Sequence, residues 1–145
     1  MNDRASTHLH NVDILLNNGF KKYKNTTLFF KGDVSIISPA VALNQSGGYW
    51  FDLRKVNLER LTTNASLLVR IVPNLFVLAP LPHITELVSE ELMGNRVHSG
   101  DVWALGVELS AQHRTAQVFN KFSSYKKQEY PLMSVHNVEA AIRYL

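Results

Sequence analysis

The sequence predicts a mixed α/β domain with a single, mostly antiparallel sheet flanked by helices. Strand-like runs of β-branched and aromatic residues fill the middle of the chain, while apolar stripes at helical spacing lie towards both ends. No repeat, low-complexity tract or linker-like segment interrupts the 145 residues. With 46% hydrophobic and 19% charged residues, the composition is that of a packed protein. We therefore expect residues 1–145 to form one domain.

The first predicted element is a helix over residues 7–18. Apolar side chains recur along it at helical spacing, and Gly19 offers a left-handed stop. A short basic connector follows, with Lys21, Lys22 and Lys24.

The middle of the chain has the features of a sheet. Residues 26–31 and 34–38 are strand-like runs on either side of a Gly-Asp turn pair. Residues 67–72 and 75–79 flank Pro73-Asn74, which predicts a hairpin because proline is preset for the first turn position.

Residues 49–55, between these pairs, alternate in character. On a strand, this alternation directs side chains to two opposite faces. One face would carry Tyr49, Phe51 and Leu53, and the other Trp50, Asp52 and Arg54.

The last third of the chain predicts a helix, a strand and two more helices. The first helix covers residues 84–92 and ends at Gly94, and the strand covers residues 102–109. Apolar spacing over residues 111–125 favours a helix, with a strand as the alternative. A final helix is capped by Ser134.

Composition excludes some chemistries and suggests a compartment. The chain has no cysteine, so disulfides, thiolate metal sites and cysteine nucleophiles are excluded. The first seven residues lack the apolar core of a secretory signal, and the longest apolar stretch, residues 67–81, is broken by charge and proline. We expect a cytoplasmic protein with no membrane partner. The net charge of +3 is compatible with a phosphate-bearing partner such as nucleic acid.

A pair of acids beside a cation is the candidate catalytic feature. Metal-assisted phosphodiester cleavage needs carboxylates that converge on a divalent cation, and a neighbouring positive charge stabilises the attacked phosphate. Asp52 and Arg54 share one face of a predicted strand, and Asp33 begins the preceding one. If those strands were neighbours, Asp33 and Asp52 would supply both carboxylates.

This pattern resembles the PD-(D/E)XK nuclease family over roughly residues 7–109. The resemblance implies a metal-dependent DNA endonuclease, with Asp33 and Asp52 as ligands of Mg²⁺ or Mn²⁺ and Arg54 or Lys55 as the phosphate clamp. Asp13 would match an auxiliary acid. The sequence departs from the family because Arg54 stands in the place of its lysine, and arginine holds its proton too firmly to act as an acid. A binding-only relative is therefore an open alternative.

The alternative interpretation of the same residues is purely structural. An Asp after Gly commonly serves a turn, and an Asp and an Arg on one strand face commonly form a surface ion pair.

A basic and aromatic surface is the other candidate. Early lysines (Lys21, Lys22, Lys24, Lys31) and late ones (Lys121, Lys126, Lys127) are interleaved, in the later segment, with Phe122, Tyr125 and Tyr130. Such residues bind nucleic acid through phosphate contacts and base stacking. Alternatively, the aromatics are core and the lysines a solvated edge.

Trp50 is predicted to face outward and to bind nucleic acid together with the early lysines, Lys21, Lys22, Lys24 and Lys31. It marks an interaction surface if no helix covers it. The alternative function is thus a non-enzymatic module that uses the Trp50 face to bind a protein partner or a second copy.

Overall fold

The computed structural model describes residues 11–43, 48–71 and 75–145, with the backbone alone for residues 123–126. The described strands are β1 (Lys21–Lys22), β2 (Leu28–Lys31), β3 (Val34–Ile37), β4 (Ala42–Leu43), β5 (Tyr49–Arg54), β6 (Asn64–Arg70), β7 (Leu75–Pro80), β8 (Gly94–Arg96), β9 (Gly100–Leu109), β10 (Thr115–Asn120), β11 (Ser123–Pro131) and β12 (Met133–Ser134). The helical segments are α1 (11–17), α2 (Lys55–Leu58), α3 (Val135–Arg143) and the 3-10 helices Leu81–Val88 and Glu90–Leu92. The mixed α/β class is confirmed.

The strands form two sheets, so the prediction of a single sheet is wrong. The first sheet has the order β1-β2-β3-β6-β7-β12, and the second has the order β11-β10-β9-β5-β4, with β8 also paired to β9. After β3 the chain crosses to the second sheet for β4 and β5, and then returns through α2 to β6. This excursion makes β3 and β6 parallel neighbours, while every other described pair is antiparallel as predicted. This crossing depends on contacts between residues that are far apart in the sequence, so local sequence patterns do not predict it.

One apolar core joins the two sheets. It buries side chains of the first sheet, such as Leu67 and Val69, together with Phe51, Leu53 and Leu105 of the second. Alternate residues of both sheets therefore point towards each other, as in a sandwich. The apolar side chains of this shared layer stabilise the fold mainly because they are removed from water.

A second core lies between the first sheet and two helices. Apolar residues of α1 and α3, including Leu15, Val138 and Ile142, are buried with Phe29 and Ile36 of the sheet. The described structure thus has three layers, with helices α1 and α3 on the first sheet. Among the described residues, no helix combines the length and apolar character that a bilayer crossing requires.

Buried polar groups connect α1 to the sheet. The amide of Asn11 donates to the Ser38 hydroxyl at 2.9 Å, and that hydroxyl donates to the Leu68 carbonyl at 2.8 Å. Both polar residues are fully buried. Because an unpaired buried polar group is costly, this relay specifies where the helix docks.

Several predicted elements are confirmed. The alternation of β5, the strands on both sides of residues 73–74 and the strand at β9 are present, and the Ser134 hydroxyl caps α3 by accepting from the Asn137 amide at 3.2 Å. The first predicted helix is present over residues 11–17, while its residues 7–10 and the Pro73-Asn74 turn lie outside the described residues.

Other element predictions need correction. Residues 111–125 are not a helix, because Ala116 and Val118 of β10 point to the core while Gln117 and Phe119 point away. The apolar spacing of this segment matched a helix by coincidence. The helix predicted over residues 84–92 is two 3-10 segments beginning at Leu81.

We predict that Ser38→Ala lowers the free energy of unfolding by about 2–3 kcal/mol, because it leaves a buried amide and a buried carbonyl without their shared partner. Urea denaturation followed by circular dichroism measures the loss. Ser89→Ala is the matched control, since no capping hydrogen bond is made by that side chain. Equal stability of the two variants would show that the relay contributes nothing.

The buried Tyr130 side chain should make the stability of the fold sensitive to alkaline pH. Its hydroxyl is buried with no hydrogen-bond partner among the described residues, and burial raises the pKa of Tyr130 from 10.0 to about 12. The unfolded chain loses this proton first, so the free energy of unfolding should fall as the pH rises from about 10 towards 12.

Tyr130→Phe removes the unpaired hydroxyl, so at neutral pH we expect the variant to match or exceed the wild type by about 1 kcal/mol. Above about pH 10 its stability should fall less steeply. Urea titrations at a series of pH values test both points. Parallel pH profiles for the two proteins would contradict the assignment.

Candidate functional site

The two acids of the nuclease-like motif lie in different sheets. Asp33 occupies the turn between β2 and β3, whereas Asp52 lies on β5. Strand β3 pairs with β2 and β6, and β5 pairs with β4 and β9, so the strands of the two acids are not neighbours. Nowhere in the described ranges do three His, Asp or Glu side chains gather as a metal-binding group. The metal-ligand roles of Asp33 and Asp52 stay predictions that the strand arrangement does not support.

Asp52 is instead paired with a cation that the sequence patterns did not single out. Its Oδ2 lies 2.7 Å from Nη1 of Arg96, on β8, and the Asp52 side chain is 20% exposed. Strand β8 reaches this position because it pairs with the beginning of β9, while β5 pairs with the other edge of β9. The ion pair therefore bridges three strands of the second sheet.

The other two motif residues make their contacts away from Asp52. Arg54 is exposed and donates from Nε to the Ser99 carbonyl at 3.0 Å. Lys55 ends the strand pattern and begins α2, where it lines a cleft beside Glu59. The motif thus does not converge on one hollow.

The early lysines belong to the first sheet. Lys21 and Lys22 form β1 at its edge, and Lys31 ends β2 with its ammonium 5.6 Å from the ring of Phe20. Lys24 lies over the ring of Tyr23 at 5.4 Å. Since Trp50 lies on the second sheet, the predicted grouping of these lysines with Trp50 is not supported by the sheet order.

A different group of cations and rings lies on the outer side of the second sheet. We call this surface the Trp50 face. It consists of outward-pointing residues of five strands and the β10–β11 turn: Trp50, Asp52, Arg96, Gly106, Phe119, Lys121, Phe122 and Lys127. Helices α1 and α3 pack on the first sheet, so neither of them covers it.

Strand register places the rings of this face in one row. Trp50 is opposite Gly106, Gly106 is opposite Phe119, and Phe119 is opposite Lys127. Adjacent strands are about 4.8 Å apart, so the two aromatic residues lie roughly 10 Å from each other along the row.

Gly106 lets the Phe119 ring lie against the sheet. A Cβ at position 106 would be 2.4 Å from Cζ of Phe119, closer than any real contact. The ring therefore occupies the space above the glycine backbone, which is the packing known to protect a strand glycine. The Phe119 side chain is partly buried there.

Cations lie over both rings. The Lys121 ammonium is 5.2 Å and the Arg96 guanidinium 5.7 Å from the centroid of Trp50. The Lys127 ammonium is 5.5 Å from the centroid of Phe119 and 3.6 Å from Glu108. Each of the three distances to a ring centroid is in the range of a cation–π interaction.

Phe122 extends the aromatic surface. Its side chain is 69% exposed, and its ring lies 3.5 Å from where a Cβ of Gly94 would be. The turn that presents it is held by Asn120, whose Oδ1 accepts from the Phe122 amide at 2.8 Å and whose Nδ2 donates to the Leu87 carbonyl at 2.8 Å. Asn120 is fully buried, so the turn is tied to the core.

This arrangement combines the partly exposed rings of Trp50 and Phe119 and the exposed ring of Phe122 with neighbouring cations on the outer side of the second sheet. Rings of this kind can stack on planar groups, and the cations can pair with anions next to them. Of its residues, the sequence analysis named Trp50, Asp52, Lys121, Phe122 and Lys127. It missed Arg96 and Gly106, whose roles depend on pairing between distant segments, and it assigned Phe119 to a helix.

We predict that Gly106→Ala lowers the free energy of unfolding by about 1–3 kcal/mol, because the new methyl group displaces the Phe119 ring. Phe119→Ala in the same protein should recover part of this loss, a coupling that a double-mutant cycle measures. Gly48→Ala is the matched control, since its Cβ would meet nothing closer than 3.7 Å. Additive effects of the Gly106 and Phe119 changes would rule out the contact.

Comparisons with protein-family models, with curated proteins and with solved structures find no match to this chain.

Proposed function

We propose that the protein binds single-stranded nucleic acid on the Trp50 face and that this binding is not catalytic. The observation that carries the proposal is the partly exposed ring of Trp50 on the outer side of the second sheet, with Lys121 and Arg96 at 5.2 and 5.7 Å. A base stacks on a ring while its phosphates pair with adjacent cations, and the same positions serve any base sequence.

A single strand suits this face better than a duplex. The rings can bind only bases whose faces are accessible, and in a duplex those faces are stacked on each other. Acidic groups further limit purely electrostatic binding, because Asp52 pairs with Arg96 and Glu108 with Lys127. Stacking is therefore the dominant contribution that we infer.

Metal-dependent cleavage is not part of this proposal. The family resemblance implies it, but Asp33 lies in a turn of the first sheet and Asp52 on a strand of the second, and Asp52 already neutralises Arg96. The binding-only alternative keeps the nucleic-acid partner without requiring the two carboxylates to meet.

We predict that the protein binds short single-stranded oligonucleotides more tightly than the matching duplexes, and that Trp50→Ala weakens binding by about tenfold or more. Fluorescence anisotropy with labelled single strands of DNA and RNA measures both effects. Lys121→Ala should also weaken binding, by loss of one phosphate contact. Of the three cations on the face, two already pair with acids, so the slope of log K against log salt should lie between about −0.7 and −2 for a single strand.

Controls come from residues outside the face. Tyr144→Ala removes an aromatic side chain that is 85% exposed, and Lys22→Ala removes an exposed lysine of the first sheet. Both variants should bind like the wild type. A duplex bound as tightly as the single strand, or an unchanged affinity in Trp50→Ala, would contradict the proposal.

The same samples with Mg²⁺ or Mn²⁺ separate a binder from a nuclease. Cleavage that is lost in Asp52→Ala would restore the catalytic prediction. Failure to bind any oligonucleotide would leave a protein partner or a second copy as the use of the Trp50 face.

A further inference from the structure

A separate cleft of about 430 Å³ opens at one end of the sandwich. It lies where α2, the start of β6, the 3-10 helix Leu81–Val88 and strand β9 meet. Its lining residues come from these elements and from the connection between α2 and β6: Lys55, Leu58, Glu59, Thr62, Thr63, Ala65, Leu81, Pro82, Thr85, Val88 and Trp103. The size is in the range of small-molecule sites. The cleft shares no residue with the Trp50 face, so a ligand could bind in the cleft whether or not the Trp50 face binds nucleic acid.

The floor of this cleft is apolar and fixed. The Trp103 side chain contributes to it, and its Nε1 donates to the Ser89 carbonyl at 2.7 Å, so the one polar atom of the indole is already bound. Leu58, Leu81 and Val88 pack against the core that joins the sheets. An apolar group of a ligand would therefore gain free energy by leaving water here.

The hydroxyl groups of two threonines are already engaged. Thr62 Oγ1 lies 2.9 Å from the hydroxyl of Ser35 and 3.2 Å from the Asn64 carbonyl. Thr85 donates to the Pro82 carbonyl at 2.9 Å. These hydroxyls hold the walls in place, and they leave recognition of charge to other groups.

Two opposite charges remain at the rim. Lys55 and Glu59 are four residues apart on one helical turn, with the Glu59 amide 3.0 Å from the Lys55 carbonyl. The order Lys then Glu is the less favourable one for pairing along a helix. Within the described part of the chain, neither side chain forms an ion pair with another residue. The rim therefore presents a positive and a negative group over an apolar floor.

We propose that this cleft binds the free zwitterion of an apolar α-amino acid, such as leucine or phenylalanine. The ligand carboxylate pairs with Lys55, its ammonium pairs with Glu59, and its side chain lies on the floor beside Trp103. Charge complementarity selects this class. A fatty acid would place its carboxylate near Glu59, and a simple amine would place its charge near Lys55, so each leaves one rim charge unmatched.

Titration of ¹⁵N-labelled protein with L-phenylalanine tests the inference directly. We expect millimolar binding that shifts the amide signals of lining residues. Both 3-phenylpropanoate, which lacks the ammonium, and 2-phenylethylamine, which lacks the carboxylate, should bind about tenfold more weakly or worse, since each loses one charge-assisted contact.

Variants assign the two charges. In Lys55→Met, phenylalanine should lose its advantage over phenylethylamine. In Glu59→Gln, phenylalanine should lose its advantage over phenylpropanoate. Lys22→Met, an exposed lysine on the first sheet, is the charge control and should leave both preferences unchanged.

Occlusion gives a second readout that does not depend on charge. Thr85→Phe places a ring at the mouth of the cleft and should abolish binding. Glu86→Phe adds the same ring at the next exposed position, which does not line the cleft, so this variant should still bind phenylalanine. The proposal is overturned if phenylalanine shifts no lining residue, if phenylpropanoate binds as well as phenylalanine, or if the two phenylalanine variants behave alike.

Discussion

The contact between the two sheets determines most of what this molecule presents to solvent. Once Phe51, Leu53 and Leu105 are buried against the first sheet, the two-residue period of a strand leaves no choice for their neighbours. Trp50, Asp52 and Gly106 must then point outward. The Trp50 face is thus a consequence of core burial, and a change of one residue in strand register would bury its charged and polar groups.

The first sheet differs from the second because both of its faces are covered, and this difference explains where a surface remains for binding. Its inner face packs on the second sheet, and its outer face packs on α1 and α3, so both are covered. Only the second sheet retains a broad side that the helices of the second core do not cover. Its rings are held by cations and by the glycine below Phe119, which lets a partly apolar surface stay ordered in water.

The sequence predicted local features well and long-range ones poorly, for a physical reason. The alternation of β5, the Ser134 cap and the strand at β9 depend on side chains within a few residues of each other. The division into two sheets depends on a chain crossing after β3, and no local pattern records it. In the segment around Val118, apolar spacing fitted two periodicities, and pairing with β9 and β11 decided for the strand.

The same distinction accounts for the motif around Asp52. As a pattern, an acid two residues before a cation on a strand is compatible with metal chemistry, and it predicted correctly that Asp52 and Arg54 share a face. It could not predict Arg96, which arrives from a separate hairpin to lie 2.7 Å from Asp52 and 5.7 Å from the ring of Trp50. Here the carboxylate holds a guanidinium beside an aromatic surface, which makes Asp52 a positioning residue for that cation. An acid in this face therefore need not oppose nucleic-acid binding, because it fixes one of the cations beside the ring on which we propose that bases stack.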